Sequence, residues 1–203
     1  GTRYDQPAPG DYDGDGSWDT AIFRSSSGLW AMRRISRFYF GNGSDRLVPG
    51  DYDGLGYRAA GIFRGSSGLW AIRGLSRVYF GGSSDLPEPG DYDGDGSADI
   101  GIFRDSSGLW AVRGITRVYF GNSSDLSIPG NYNGGCDLDI AIFRRASGLW
   151  AVRQFTRVYF GGSSDYPLAM DMDGDGRDGP AVFRPSSGLW AVRGVTRFYF
   201  GGS

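Results

Sequence analysis

Phe23, Phe63, Phe103, Phe143 and Phe183 stand 40 residues apart, each followed by Arg. Trp30, Trp70, Trp110, Trp150 and Trp190 keep the same interval, always inside Ser-Gly-Leu-Trp-Ala. Five copies of 40 residues account for nearly all of the 203. A repeat of about 40 residues built from short strands is the signature of a propeller or a solenoid. One such unit is too small to bury its own hydrophobic faces, so the fold has to come from units packing on one another.

The third copy displays the unit most cleanly. Apolar segments near 86–91, 99–104, 108–113 and 116–121 are separated by Gly, Ser, Asn, Asp and Pro. Those separators are turn formers, and the apolar positions show no helical period, so the copy reads as four short antiparallel strands. On the third strand Leu109, Ala111 and Arg113 share one side and Trp110 and Val112 the other. Apolar residues on both sides suit a sheet packed between two neighbours. The expected fold is therefore all-β, a single five-bladed β-propeller with copies at about 1–40, 41–80, 81–120, 121–160 and 161–203. A solenoid is the rival, but it needs distinct capping units, and the first and last copies look like internal ones.

Composition narrows the chemistry. All 21 basic residues are Arg, 22 of the 23 acids are Asp, and there is no His. The commonest general base and the commonest nitrogen ligand for metals are thus missing, which argues against an enzyme. Oxygen ligands remain, and these suit hard cations. The net charge of −2 gives no electrostatic footprint for nucleic acid. No apolar run reaches the roughly 18 residues of a membrane span, and no signal peptide is read. The chain opens on Gly1 rather than Met, so the expectation is a processed or replaced N-terminus. The single cysteine, Cys136, excludes a disulfide framework within the chain and reads as drift in an eroded copy.

The loop between the first two strands carries the most chemistry. In the first copy it runs Asp11-Tyr-Asp-Gly-Asp-Gly-Ser-Trp-Asp19. Asp11, Asp13, Asp15 and Asp19 recur as Asp91, Asp93, Asp95 and Asp99 in the third copy. Four carboxylates within nine residues repel unless a cation neutralises them. Ca²⁺ takes 6–8 oxygens, which alternating carboxylates on a glycine-bent loop can supply. The backbone carbonyls of Ser17 and Ser97 would add to the set. A row of Asx turns is the structural alternative. The fifth copy keeps Asp171, Asp173 and Asp175 but has Gly179 at the ninth position, with Asp178 one place early. The second keeps only Asp51 and Asp53, and the fourth has Asn131, Asn133 and Asp139. Two to three structural Ca²⁺ ions are expected, with no tight site in the second or fourth loop.

The run Pro-Gly-Asp-Tyr-Asp-Gly-Asp-Gly-x-x-Asp-Ile-x-Ile-Phe-Arg, preceded by Phe80-Gly81, resembles the FG-GAP/VCBS repeats of integrin α-subunits and of many secreted bacterial and fungal proteins. The resemblance covers essentially the whole chain. It implies a β-propeller with Ca²⁺ in the Asp loops on one face, and an extracellular setting. The chain departs from the integrin pattern in having five shorter blades where integrins have seven longer ones. Some fungal lectins share such repeats, so the resemblance also allows sugar binding.

Each copy further carries a Trp and three Arg at fixed offsets, with an Asp in the link between copies (Asp5, Asp45, Asp85, Asp125, Asp165). Trp30, Trp70, Trp110, Trp150 and Trp190 with Arg24, Arg64, Arg104, Arg144 and Arg184 are the candidate ligand residues. An aromatic face beside a planar guanidinium suits a sugar. The structural alternative places Trp between blades and pairs Arg with Asp. The face opposite the acidic loops carries the Ser-Ser-Gly turns and the Gly-Asn-Ser-Ser-Asp links. The functional expectation is a secreted, non-enzymatic binding module for glycans, or else for a cell-surface protein; the oligomeric state is left open.

Overall fold

The computed structural model describes residues 5–201. The outermost residues of the expected first and last copies, 1–4 and 202–203, lie outside the described residues. The protein is an all-β, five-bladed β-propeller of five four-stranded antiparallel sheets. The first blade comprises β1 (Asp5–Pro7), β2 (Ala21–Arg24), β3 (Leu29–Met32) and β4 (Ser36–Tyr39). The second comprises β5 (Arg46–Leu47), β6 (Gly61–Arg64), β7 (Leu69–Ile72) and β8 (Ser76–Tyr79). The third has β9 (Leu86–Pro87), β10 (Gly101–Arg104), β11 (Leu109–Val112) and β12 (Thr116–Tyr119). The fourth has β13 (Asp125–Ser127), β14 (Ala141–Arg144), β15 (Leu149–Val152) and β16 (Thr156–Tyr159). The fifth has β17 (Tyr166–Met170), β18 (Gly179–Arg184), β19 (Leu189–Val192) and β20 (Thr196–Tyr199).

Strands run in chain order across each sheet, so every blade is a meander of contiguous chain. The strands are shorter than the apolar runs suggested. In the first four copies the first strand breaks at Pro-Gly and resumes only as a single bridge, Gly10 to Asp19 and its equivalents. Proline has no N–H to give the ladder. The fifth copy replaces Pro-Gly by Ala169-Met170, and there β17 and β18 pair without interruption over five residues. The only helical piece among the described residues is a 3₁₀ turn at Asp105–Ser107, closed by Gly108 at φ 66°.

The chain divides into two compact units: one runs through Gly90 and includes Asp95–Ile102, the other takes Asp91–Gly94 and everything from Phe103 onward. In the first unit, Phe23, Trp30 and Met32 of the first blade form one core with Ala60, Ile62 and Ala71 of the second. In the second unit, Phe143, Trp150 and Val152 of the fourth blade form the corresponding core with Val182, Leu189 and Ala191 of the fifth. Strand alternation explains the pattern: the Phe/Trp side of one sheet meets the Ile/Ala side of the next.

Candidate functional site: acidic loops and the Arg–Tyr row

The β1–β2 loop of the first blade folds on its own carboxylates. Asp11 accepts from the amides of Gly14 at 2.7 Å and Gly16 at 2.9 Å. Asp13 accepts from Asp15 N–H at 3.2 Å, Asp15 from Ser17 N–H at 2.7 Å, and Asp19 from Tyr12 N–H at 2.8 Å. These bonds need Gly14 and Gly16 at φ 79° and 82°, which only glycine adopts cheaply. They also leave carboxylate oxygens of Asp11, Asp13 and Asp15 within 4.8 Å of one another. Asp91, Asp93 and Asp99 form a second such trio, and Asp171, Asp173 and Asp175 a third.

The members differ in detail from the nine-residue frame. Asp19 lies outside the first trio and caps the Tyr12 amide. Asp95 lies outside the second and accepts from Ser97 N–H at 2.7 Å. In the fifth loop, Asp171 accepts from Gly174 and Gly176, and these amide bonds hold its carboxyl below the ordinary range. Asp178, one place early in the frame, turns instead to the fourth loop and accepts from Asn131 N–H at 2.8 Å.

The fourth loop is neutralised from within. Asn133 directs its amide N–H at Asp139 over 2.7 Å, and Asp139 also accepts from the backbone of Tyr132 and Asn133. Asn131 donates its side-chain amide to Gly135 O at 2.8 Å. Carboxamide hydrogens thus point where the other loops present only oxygens. Burial nonetheless raises the Asp139 carboxyl above its usual value, against the lowering effect of these bonds. In the second loop Asp51 accepts from Leu55 and Gly56, and Leu55 and Ala59 stand where the first loop has Asp15 and Asp19.

The loops are tied to the blades and to each other. Tyr12, Tyr52 and Tyr132 donate their hydroxyls to Ala8, Val48 and Ile128, each at 2.8 Å. Burial pushes Tyr12 up to about 12, with the Arg58 charge opposing. The phenols of Tyr52 and Tyr132 are raised further for the same reason. Met172 replaces this tyrosine in the fifth loop and lies exposed. Hollows of about 320 Å³ open beside the loops within each unit. One joins Tyr12, Asp53 and Arg58 with Ile35 and Leu75; the other joins Tyr132, Asp173 and Asp178 with Phe155 and Val195. The β1–β2 loops and the β3–β4 type turns therefore share one end of the blades, as their order along the chain requires.

The candidate ligand residues prove largely internal. Trp30, Trp70, Trp110 and Trp150 are 0–1% exposed, each packed at 4.9–5.4 Å from the Phe of its own blade. Their indole N–H groups donate to Phe40, Phe80, Phe120 and Phe160 carbonyls at 2.9–3.1 Å. None of these four rings has a face open for a sugar to stack on. Trp190 differs: it is half-buried and lies parallel to the exposed Phe198 at 6.3 Å.

Arg24, Arg64, Arg144 and Arg184 place Nε and Nη2 on both oxygens of Asp5, Asp45, Asp125 and Asp165 at 2.6–3.1 Å. Those carboxylates are 0–2% exposed while the arginines keep about a third of their surface. The fork clasps the inter-blade link to the second strand through Nε and Nη2. Arg104 sits half-buried at the end of β10.

Sequence reading missed one set altogether. Tyr39, Tyr79, Tyr119, Tyr159 and Tyr199 end the outermost strands and are 68–74% exposed. In the first blade Asp5 pairs with Arg24, Arg24 with Leu29 and Leu29 with Tyr39, one row across all four strands. The fourth blade repeats the row as Asp125, Arg144, Leu149 and Tyr159. Counting alternate residues outward from Trp30 would have put Phe38 on the packed side and Tyr39 on the other.

Comparison with protein-family models, with curated proteins and with solved structures finds no match to this chain.

Proposed function

We propose that this chain is a non-enzymatic, Ca²⁺-stabilised propeller that works outside the cell as a multivalent binding module, with glycans as its ligands. The observation that carries the calcium part is the gathering of three carboxylates within 4.8 Å in three separate loops. The donors are all oxygen, which fits a hard cation. Asp11, Asp13 and Asp15 would hold one ion, Asp91, Asp93 and Asp99 a second, and Asp171, Asp173 and Asp175 a third. The bound ion would supply positive charge that keeps the carboxylates together, and no chemical step is asked of it. Loops of this kind suit the millimolar Ca²⁺ outside cells. The similarity to FG-GAP/VCBS repeats supports the same setting.

The glycan part rests on repetition. Five copies of one surface in a single chain turn weak contacts into avidity through effective concentration. A protein-interaction or adhesion module with purely structural calcium is the second reading. It is favoured by the burial of Trp30, Trp70, Trp110 and Trp150, which removes the most obvious sugar-stacking faces. A glycan array probed with and without Ca²⁺ separates the two: several sugar hits support the first reading, and silence across the array with retained cell-surface protein capture supports the second.

A further inference from the structure

Every blade ends in an outer strand with the same Arg-x-Tyr sequence: Arg37 and Tyr39, Arg77 and Tyr79, Arg117 and Tyr119, Arg157 and Tyr159, Arg197 and Tyr199. These strands lie at the edge of their sheets. Ala31 pairs with Arg37 and Leu29 with Tyr39, so both side chains share the face of Arg24. In the fourth blade the registers of Arg157 and Tyr159 place them likewise. The tyrosines are 68–74% exposed, and all five arginines are exposed. Among the described residues no ion pair holds any of the five. The motif is unchanged in all copies, whereas the acidic loops differ from one copy to the next.

The charges sum simply. Arg24 is cancelled by buried Asp5, so what each rim adds is the one uncompensated guanidinium of Arg37. An exposed phenol ring offers a flat face for sugar C–H groups. A free guanidinium offers a two-pronged donor for a carboxylate or sulfate.

Resting on the glycan reading above, we infer that the Arg-x-Tyr edge of each blade is the recognition site, and that its ligand is an anionic polysaccharide, one bearing uronate or sulfate groups. The tyrosine supplies the stacking face, the strand arginine selects the negative charge, and the acidic loops take no part in contact.

The test uses the full chain in Ca²⁺ and measures binding to immobilised polygalacturonate, dextran sulfate, unmodified dextran and polyglutamate. Binding to either anionic glycan, with little to dextran or polyglutamate, is expected. Replacing the five strand arginines by Gln should weaken binding about 10²-fold by loss of avidity, with the melting temperature held. Tyr→Ser at the five tyrosines should do the same. Should a fivefold variant lose its β-sheet circular dichroism, the pair Arg117→Gln and Arg157→Gln replaces it, with a smaller loss expected. Equal binding to polyglutamate would mean charge alone and overturn the inference. Neutral-glycan binding untouched by the arginine variants would overturn it while leaving the glycan reading intact. No binding to any polysaccharide would defeat both.

Discussion

The backbone N–H of Arg58 donates to the carbonyl of Asp11 at 2.6 Å, joining the second acidic loop to the first residue of the loop before it. The bond recurs from Ala98 to Asp51, from Leu138 to Asp91 and from Asp178 to Asn131 at 2.5–2.6 Å. Asp11 and Asp91 therefore have two duties. Their side chains belong to the carboxylate trios, and their carbonyls fix the neighbouring loop. An ion held by the side chain would stiffen both.

Removing calcium should accordingly destabilise more than one loop. An ion at 100 times its dissociation constant contributes about 2.7 kcal/mol, or roughly 5–10 °C in a chain of this size. Excess chelator should lower the calorimetric melting temperature by at least that much, and calcium should restore it. Asp93→Ala should lower it more than Asp53→Ala, because Asp93 belongs to a trio and Asp53 does not. An unchanged melt in chelator would contradict the metal assignment.

The internal neutralisation of the fourth loop gives a sharper test. Asn133→Asp removes the amide that serves Asp139 at 2.7 Å and sets two carboxylates against each other. The variant should be less stable than the parent in chelator by about 1–3 kcal/mol. It should also gain more from added calcium than the parent does. Equal calcium responses in thermal melts would show that the loop tolerates the charge without a cation.

The clasp between Arg64 and Asp45 joins a fully buried carboxylate side chain to a guanidinium that keeps about a third of its surface. Arg64→Ala leaves that carboxylate without its fork, at a loss of about 3 kcal/mol. Arg64→Lys should recover little, since a single ammonium cannot span both oxygens. Urea unfolding of the three proteins measures this, and full recovery by Lys would show that charge alone suffices.

Trp110→Ala empties a site that is 0% exposed, so a loss of about 3–5 kcal/mol is expected. Trp190→Ala should lose clearly less, because that ring is only half-buried. Chemical denaturation decides between unequal and equal losses. Iodide should quench mainly Trp18, which is 68% exposed, together with Trp190.

Alkali should act through the loop tyrosines. The folded pKa of Tyr12 is raised by burial to about 12, above the unfolded value of about 10. Its contribution to stability is whole below about pH 10 and is lost as pH rises through about 12. Tyr52 and Tyr132 act in the same sense over a higher range. Absorbance at 295 nm should show a wave of tyrosine ionisation near pH 12 that coincides with loss of sheet structure. A single reversible wave near pH 10 would sink this.

The period and the turn residues made the five blades and the four strands per blade readable, because spacing is a property of sequence. The clustering of acids in the loops was readable too, since Asp at every second place along a glycine-bent segment must bring carboxylates close together. The role of Trp30 was not. A Trp flanked by Leu and Ala on a strand can face a neighbour or solvent, and only the packing of Ala60, Ile62 and Ala71 against it decides. Nor could spacing reveal that Asp178 leaves its own loop for Asn131, because that bond spans 47 residues. The break of the first strand was not foreseen either: the segment near 86–91 was expected as one strand, yet Pro-Gly before the first four acidic loops interrupts the pairing, and Ala169-Met170 in the fifth copy does not.

The bonds from indole to Phe carbonyl close over ten residues and the clasps from Arg to Asp over nineteen, and both keep the same spacing from blade to blade. Local stitches of this kind work alike wherever a blade stands in the order. A gene encoding such a protein can therefore gain or lose 40 codons at a time without disturbing any fastening within the remaining blades, so change in whole-blade steps is the natural path for its length to evolve.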